Sequence, residues 1–297
     1  MKDLGRIFEY APAEWVTIGG VTVKKIWIDM LPVYCAFPQD YREGEPAKLC
    51  LFLSGLSGNK ESLVEQFAQK ITSRGYVGVF FDHFGHGERS RAGVTCLNAS
   101  KEEAGKVGRR IGMTCFTNMY RYGWEIIGNG VLDAQRVMDY FQARMPVAEF
   151  VMGGVSMGGD TSIAAAGADT RLNRVLCLIT TPDWLRPGMC DLFTGEIMDP
   201  GKPDAKSQWY YDQFNPMTHL SRYARGVDAL FACGEKDTHI PPENAQRFIE
   251  NLSRIAPDAA ARMQIWWNRG AGHVLPQAAD MERLFDWFLL KKPMTDA

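Results

Sequence analysis

The chain has 297 residues, 46% of them apolar, enough for a sizeable buried core. Its 33 basic and 35 acidic side chains leave a formal charge of −2, so nothing global favours nucleic acid or an anionic membrane. No stretch approaches the roughly 18 apolar residues of a membrane span, no basic cluster carries interleaved aromatics, and the opening "MKDLGRIFEYAPAEW" has no long apolar core of a secretion signal.

The first patterned segment is "WVTIGGVTVKKIWIDMLPVYCAF", in which two β-rich runs flank Gly19-Gly20 and predict a hairpin. "AKLCLFLSG" is a short buried strand. "NKESLVEQFAQKITSRG" is a helix capped by Asn59, with Leu63, Phe67 and Ile71 on one face and Gly75 at its end. "YVGVFFD" is the next strand, and strand–helix–strand with short joints predicts a parallel α/β arrangement. Further on, "GVLDAQRVMDYFQARM" is a helix with Val131, Ala134, Val137, Met138 and Phe141 inward. "AEFVMGGV" is a strand and "MGGDTSIAAAGAD" a helix. "RVLCLIT" and "DALFACG" are strands, and "PPENAQRFIENLSRI" is a helix with proline in its first turn. "ARMQIWWN" is the last strand and "QAADMERLFDWFLLKK" the last helix.

Two segments break this rhythm, about residues 90–128 and about 183–220. Both are rich in Met and aromatics yet interrupted by Gly and Pro. Unstructured connections of that length are uncommon in compact domains, so they are expected as partly helical covers over one end of the sheet. The expectation is therefore one domain over 1–297, with a mostly parallel sheet of about eight strands, helices on both faces and a small helical cap. The seven cysteines (Cys35, Cys50, Cys96, Cys115, Cys177, Cys190, Cys233) are scattered without a C-x-x-C pair. They predict reduced, mostly buried thiols and a cytoplasmic protein.

Chemistry concentrates at "GGVSMGGD". Gly154-Val155-Ser156-Met157-Gly158 fits G-x-S-x-G between a predicted strand and a predicted helix, the setting of a nucleophile elbow. The serine backbone is strained on such a turn, so the positions two before and two after must be small. A serine hydroxyl needs a base, and the base an orienting acid. "DALFACGEKDTHIPP" places Asp237 just beyond a strand, and "ARMQIWWNRGAGHVLP" places His273 in a Gly-rich loop after the last strand. The order Ser156, Asp237, His273 suits a triad in which His273 takes the serine proton and Asp237 fixes its tautomer. Asp183 is the alternative acid. His239 lies in the acid's own loop, and His83 and His219 lack a Gly loop after a strand. A turn aspartate and a surface loop histidine are the plainer readings of Asp237 and His273. The oxyanion donors are expected to be the backbone N–H of Met157 and that of Leu56, in "SGLSG".

"SGLSG", "FDHFGHGERS", "GGVSMGG", "GEKDTHIPP" and "GAGHVLP" stand in an order that resembles the α/β-hydrolase superfamily, from about residue 47 onward. The nearest resemblance is to small bacterial serine esterases related to dienelactone hydrolases and acylaminoacyl peptidase catalytic domains. Many relatives carry His-Gly where this chain has Ser54-Gly55. The resemblance implies hydrolysis without a cofactor, usually of esters, with Asp82 and His86 structural. No metal site is expected, since the same loop accounts for Asp82, His83 and His86, and no dinucleotide fingerprint is present.

The expected activity is hydrolysis of a small-molecule carboxylic ester through an acyl-enzyme. Peptide or amide hydrolysis, and a non-catalytic binding protein on the same fold, stand as alternatives. Met113, Phe116, Met119, Tyr120, Trp124, Met189, Phe193, Trp209, Tyr210 and Phe214 are candidates for an apolar acyl pocket, although cap packing is the plainer reading. Arg109, Arg110 or Arg121 would meet an acidic substrate if they are not simply solvated. A homodimer is left open.

Overall fold

The protein is described here by a computed structural model covering residues 13–93, 98–192 and 194–294. The N-terminal run folds as three antiparallel strands, β1 (Glu14–Ile18), β2 (Val21–Ile28) and β3 (Leu31–Ala36). The expected hairpin turns at Gly19-Gly20, both at positive φ. A second tight turn follows at Asp29-Met30, where Asp29 adopts φ 53°. The sheet therefore has nine strands rather than about eight. Its order is β1-β2-β3-β5-β4-β6-β7-β8-β9, with β4 (Ala47–Leu53), β5 (Tyr76–Phe81), β6 (Val147–Val155), β7 (Leu172–Leu178), β8 (Asp228–Gly234) and β9 (Met263–Asn268) mutually parallel.

Parallel strands buried on both faces read as continuous apolar runs, and alternate residues serve alternate layers. In β4, Leu49, Leu51 and Leu53 join the core under α3 (Met119–Gln142), α4 (Met157–Ala168) and α6 (Glu243–Ile255). Cys50 and Phe52 join the opposite core under α1 (Lys60–Thr72) and α8 (Ala278–Leu290). The short α7 (Pro257–Ala260) links α6 to β9. The chain runs from β4 outward to β5, then crosses back to β6. Strand order thus reverses between β4 and β6, and ligand crevices in such sheets open beyond the carboxyl ends at that switch point.

Both cover segments contain helix, as expected. The first holds α2 (Lys101–Phe116), opened by a Ser100/Glu103 capping box, and the start of α3. The second holds α5 (Ala205–Phe214), packed on α3. The predicted helix from Gly130 begins eleven residues earlier, at Met119. The glycines inside it mark close packing rather than breaks. A Cβ on Gly123 would stand 2.4 Å from Met119 Sδ, and one on Gly128 2.2 Å from the Tyr210 ring. Glycines also seat α2. A Cβ on Gly108 would lie 2.3 Å from the Ser57 carbonyl oxygen, and one on Gly112 2.5 Å from Ser57 Oγ. Among the described cysteines all six are unbridged and five are buried; Cys96 lies outside the described residues. No described helix is long and apolar enough to cross a membrane.

Candidate active site

Ser156 stands between β6 and α4 with φ 49° and ψ −117°, a backbone conformation that disfavours every side chain. Its N–H donates to the Leu178 carbonyl at 2.7 Å, and its carbonyl accepts from Asp160 N–H at 3.0 Å and Thr180 Oγ1 at 3.1 Å. Those bonds hold the turn. The expected need for small neighbours is met by direct contact. A Cβ on Gly154 would fall 2.4 Å from the Gly158 carbonyl carbon, and one on Gly158 2.3 Å from the Leu53 carbonyl oxygen.

Asp237 is buried in the loop after β8. Its Oδ1 accepts the N–H groups of His239 at 3.0 Å and Ile240 at 2.8 Å, so its Oδ2 is left to accept Nδ1–H of His273 at 2.7 Å. Two devices join the loops that carry this pair. A Cβ on Gly234 would lie 2.1 Å from the Gly272 carbonyl oxygen, so only glycine lets the His273 loop press against the end of β8. Glu235 accepts from Arg269 at 2.8 Å and from Gly270 N–H at 2.8 Å. With Nδ1 committed to Asp237, Nε2 of His273 is the ring nitrogen left for other partners.

Ser156 and His273 line one cavity of about 690 Å³, together with Leu56 and Met157. Ser156 Oγ makes no hydrogen bond to His273 among the described residues; such contacts often tighten only when substrate is bound. The N–H groups of Met157, first residue of α4, and of Leu56 have no acceptor among the described residues. The first N–H groups of a helix lack intrahelical partners, which makes them available to an anion at the cavity wall. Six described non-glycine residues have positive φ, and four of them (Ser57, Ser156, Ile179, Arg186) line this cavity. Each such conformation costs about 1–3 kcal/mol and persists only where surrounding structure imposes it.

The other expected residues divide. Asp183 accepts from Arg247 at 2.8 Å and from Leu185 N–H at 3.1 Å, and has no contact with His273. His219 hydrogen-bonds within its own turn, to the Asn215 carbonyl and Thr218. Asp82 is structural, accepting from Lys60 N–H at 2.8 Å, Lys60 Nζ at 2.8 Å and Glu88 N–H at 3.1 Å. Of the pocket candidates, Met113, Phe116 and Met119 line the cavity. Tyr120, Trp124, Trp209 and Tyr210 do not, and this corrects the expectation. Trp124 is stacked between Tyr120 and Tyr211 while its Nε1–H donates to the Trp184 carbonyl at 2.9 Å. Tyr120 Oη donates to the Leu185 carbonyl at 3.0 Å. Tyr210 packs on Gly128, and Trp209 lies edge-on to Tyr210 and Phe214. These rings glue α5 and the second cover segment onto α3. Met189 and Phe214 are likewise packed outside the cavity, and Phe193 lies outside the described residues.

Of three further buried residues, only His239 lines the cavity, and the sequence pattern held no signal for Asp160. Asp160, wholly buried in the first turn of α4, accepts Thr181 N–H at 2.9 Å and an Arg186 Nη2 proton. His239 donates Nδ1–H to the Cys190 carbonyl at 2.8 Å and meets His273 edge-on, ring centroids 4.9 Å apart. Burial pushes the His239 pKa down to about 4 against the pull of that carbonyl, with His273 and Arg186 assisting. His83, whose Nε2–H donates to the Ser54 carbonyl at 2.8 Å, is lowered to about 3, chiefly by burial. Both rings are thus neutral when folded. Unfolded, each titrates near its ordinary 6.5. As pH falls below that value the unfolded chain takes up protons the folded chain refuses, so stability drops toward about pH 4 and 3. Each histidine contributes a slope of at most about 1.4 kcal/mol per pH unit. Urea midpoints measured between pH 7 and 4.5 should fall steadily; a flat profile there would contradict both burial effects.

Comparison with known proteins now defines the class. The profile of the prolyl oligopeptidase family matches residues 124–291, and the chain belongs to that family, within the α/β-hydrolase superfamily. No curated protein sequence matches it. Among solved structures, TT1662 from Thermus thermophilus is 23% identical, with a TM-score of 0.57 over 94% of this chain and 98% of that one. The acetyl xylan esterase from Paenibacillus sp. R4 is 14% identical, with a TM-score of 0.56 over 95% and 89%. An acylaminoacyl peptidase is 14% identical, with a TM-score of 0.57 over 94% of this chain but only 40% of its own length. At these identities the structures share the fold. Family membership and fold make the protein a hydrolase of the α/β class.

Proposed function

We propose that the protein is a serine hydrolase that cleaves carboxylic esters of small molecules through an acyl-enzyme. The observation that carries this reading is the Asp237–His273 pair, 2.7 Å apart, whose imidazole lines the same cavity as Ser156 on its strained turn. In this mechanism Nε2 of His273 accepts the Ser156 proton as Oγ attacks the substrate carbonyl carbon. The carbonyl π pair moves to oxygen, and the N–H groups of Met157 and Leu56 hold the resulting oxyanion. Asp237 stabilises the imidazolium. The oxyanion collapses, the ester C–O bond breaks, and the alkoxide leaves with the proton returned by His273. Water, deprotonated by the same imidazole, then attacks the acyl carbon; the bond from that carbon to Ser156 Oγ breaks, the imidazolium returns its proton to Oγ, and the acid is released. Donors preorganised in this way commonly carry the largest catalytic share, with about 3–4 kcal/mol lost per donor removed.

A cavity of about 690 Å³ walled by Leu56, Met113, Phe116 and Met119 fits a small apolar acyl or alcohol group. Membership in the prolyl oligopeptidase family favours a second reading, cleavage of amides, which the same residues could perform if the leaving amine is protonated efficiently. Side-by-side kinetics on p-nitrophenyl esters of graded chain length and on aminoacyl p-nitroanilides decide between them. The expected result is faster ester turnover with short acyl groups, beyond the intrinsic difference in reactivity. Faster anilide turnover would reverse the assignment.

A further inference from the structure

Two guanidiniums line the cavity, and the ester chemistry uses neither. Arg186, on the loop after β7, is buried, yet it lines the cavity beside Ser156. Its Nη2 is held from behind by Asp160. Asp160 is itself wholly buried and fixed by Thr181 N–H. Nε and Nη1 of Arg186 have no acceptor among the described residues, but neither is sealed from solvent. A buried guanidinium with free donors is unusual, since buried polar groups are ordinarily satisfied. Arg109 on α2 also lines the cavity and has no hydrogen-bond or ion-pair partner among the described residues. Most of the remaining wall is apolar.

We propose, resting on the serine-hydrolase reading, that Arg186 and Arg109 form a carboxylate-binding subsite, and that the natural substrate is an ester bearing a carboxylate group besides the scissile bond. Planar guanidinium forks match a carboxylate, and Arg186 is already oriented by Asp160. The two carboxylates Asp160 and Asp191 match the two arginines in number, so no surplus positive charge favours a phosphate dianion, and the free guanidinium donors suit a monoanion. Asp160 offsets Arg186, and Asp191, at the rim, accepts Thr194 N–H at 2.9 Å and adds a further negative charge. His239 and His273 complete the titratable wall; His239 is neutral and leaves Nε2 as an acceptor rather than a cation.

The test uses two pairs of esters, with rates normalised to alkaline hydrolysis. p-Nitrophenyl hydrogen glutarate against its methyl ester places the carboxylate on the acyl side. 4-Acetoxybenzoate against its methyl ester places it on the alcohol side. In one pair the free acid should exceed its methyl ester in kcat/KM by about tenfold, the scale of a charge-assisted hydrogen bond. Added salt should reduce the ratio, because Arg109 is exposed. Arg109→Gln should reduce it at least about threefold on the same scale. Arg186→Lys, checked for folding by its melting temperature, should reduce it too, since an ammonium cannot serve Asp160 and substrate as a fork does. Arg121→Gln, outside the cavity, should leave the ratio as it was. Ser156-dependent turnover with ratios at or below unity in both pairs overturns the subsite, as does a preference that survives both cavity variants. If no ester is turned over and a fluorophosphonate does not label Ser156, the serine-hydrolase reading falls and the subsite with it.

Discussion

Ser156→Ala is expected to lower kcat/KM for p-nitrophenyl acetate by about 10⁴-fold or more, and to abolish labelling by a fluorophosphonate. The hydroxyl oxygen is the only atom removed, and it has no hydrogen bond among the described residues, so the fold loses nothing by the change. Alanine keeps the same strained backbone, which is held by the Leu178 and Thr180 bonds rather than by the side chain. The melting temperature should therefore stay within a few degrees while catalysis disappears. Asp237→Asn should be nearly as damaging, about 10⁴-fold, because an amide at Oδ2 favours the wrong tautomer of His273. Mass spectrometry of the inhibited protein locates the phosphonate. A variant that retains activity within tenfold of the parent, or an adduct on another residue, would remove Ser156 from the chemistry.

What could be read from the residues follows from how local each determinant is. The capping of α1 by Asn59, the apolar face of Leu63, Phe67 and Ile71, and the buried strands are matters of neighbours along the chain, and the structure has them where expected. The loops bearing Ser156, Asp237 and His273 were legible because each follows an apolar strand and carries its own glycines. Three kinds of feature were not. Glycines inside α2 and α3 looked like breaks, because the atoms they accommodate, Ser57 and Tyr210, are distant in sequence. The turn at Asp29 lacks glycine, so the third antiparallel strand was hidden in one β-rich run. Aromatics of the cover segments pointed to a pocket, yet Trp124 and Tyr210 are consumed in mutual packing. The Asp160–Arg186 pair joins residues 26 apart, and composition holds no trace of it.

Lys60→Met is expected to lower unfolding stability by about 3–5 kcal/mol, a large share of the roughly 5–15 kcal/mol available to a natural domain. Lys60 opens α1 directly after the loop that carries Leu56, and its side chain is fully buried. Its Nζ lies 2.8 Å from Asp82, 3.1 Å from Glu61 and 3.0 Å from Glu88, and 4.8 Å from the centre of the Tyr34 ring. Burial opposes a charge on this amine, yet the surrounding carboxylates hold its pKa above the ordinary value. Methionine matches the volume but leaves Asp82 and Glu61 as buried carboxylates without a cation, and this uncompensated charge dominates the loss. Urea denaturation should show a lower midpoint at unchanged slope. Adding Asp82→Asn to Lys60→Met should recover part of the loss by removing one stranded charge. Because Asp82 also accepts the Lys60 N–H, loosening the network should blur the loop that presents Leu56, and kcat should fall more than KM rises. A Lys60→Met protein as stable as the parent to within about 1 kcal/mol would mean that the network is neutral overall, as buried ion pairs sometimes are. The position of the loop that carries Leu56 would then have to come from His83, whose ring holds the Ser54 carbonyl.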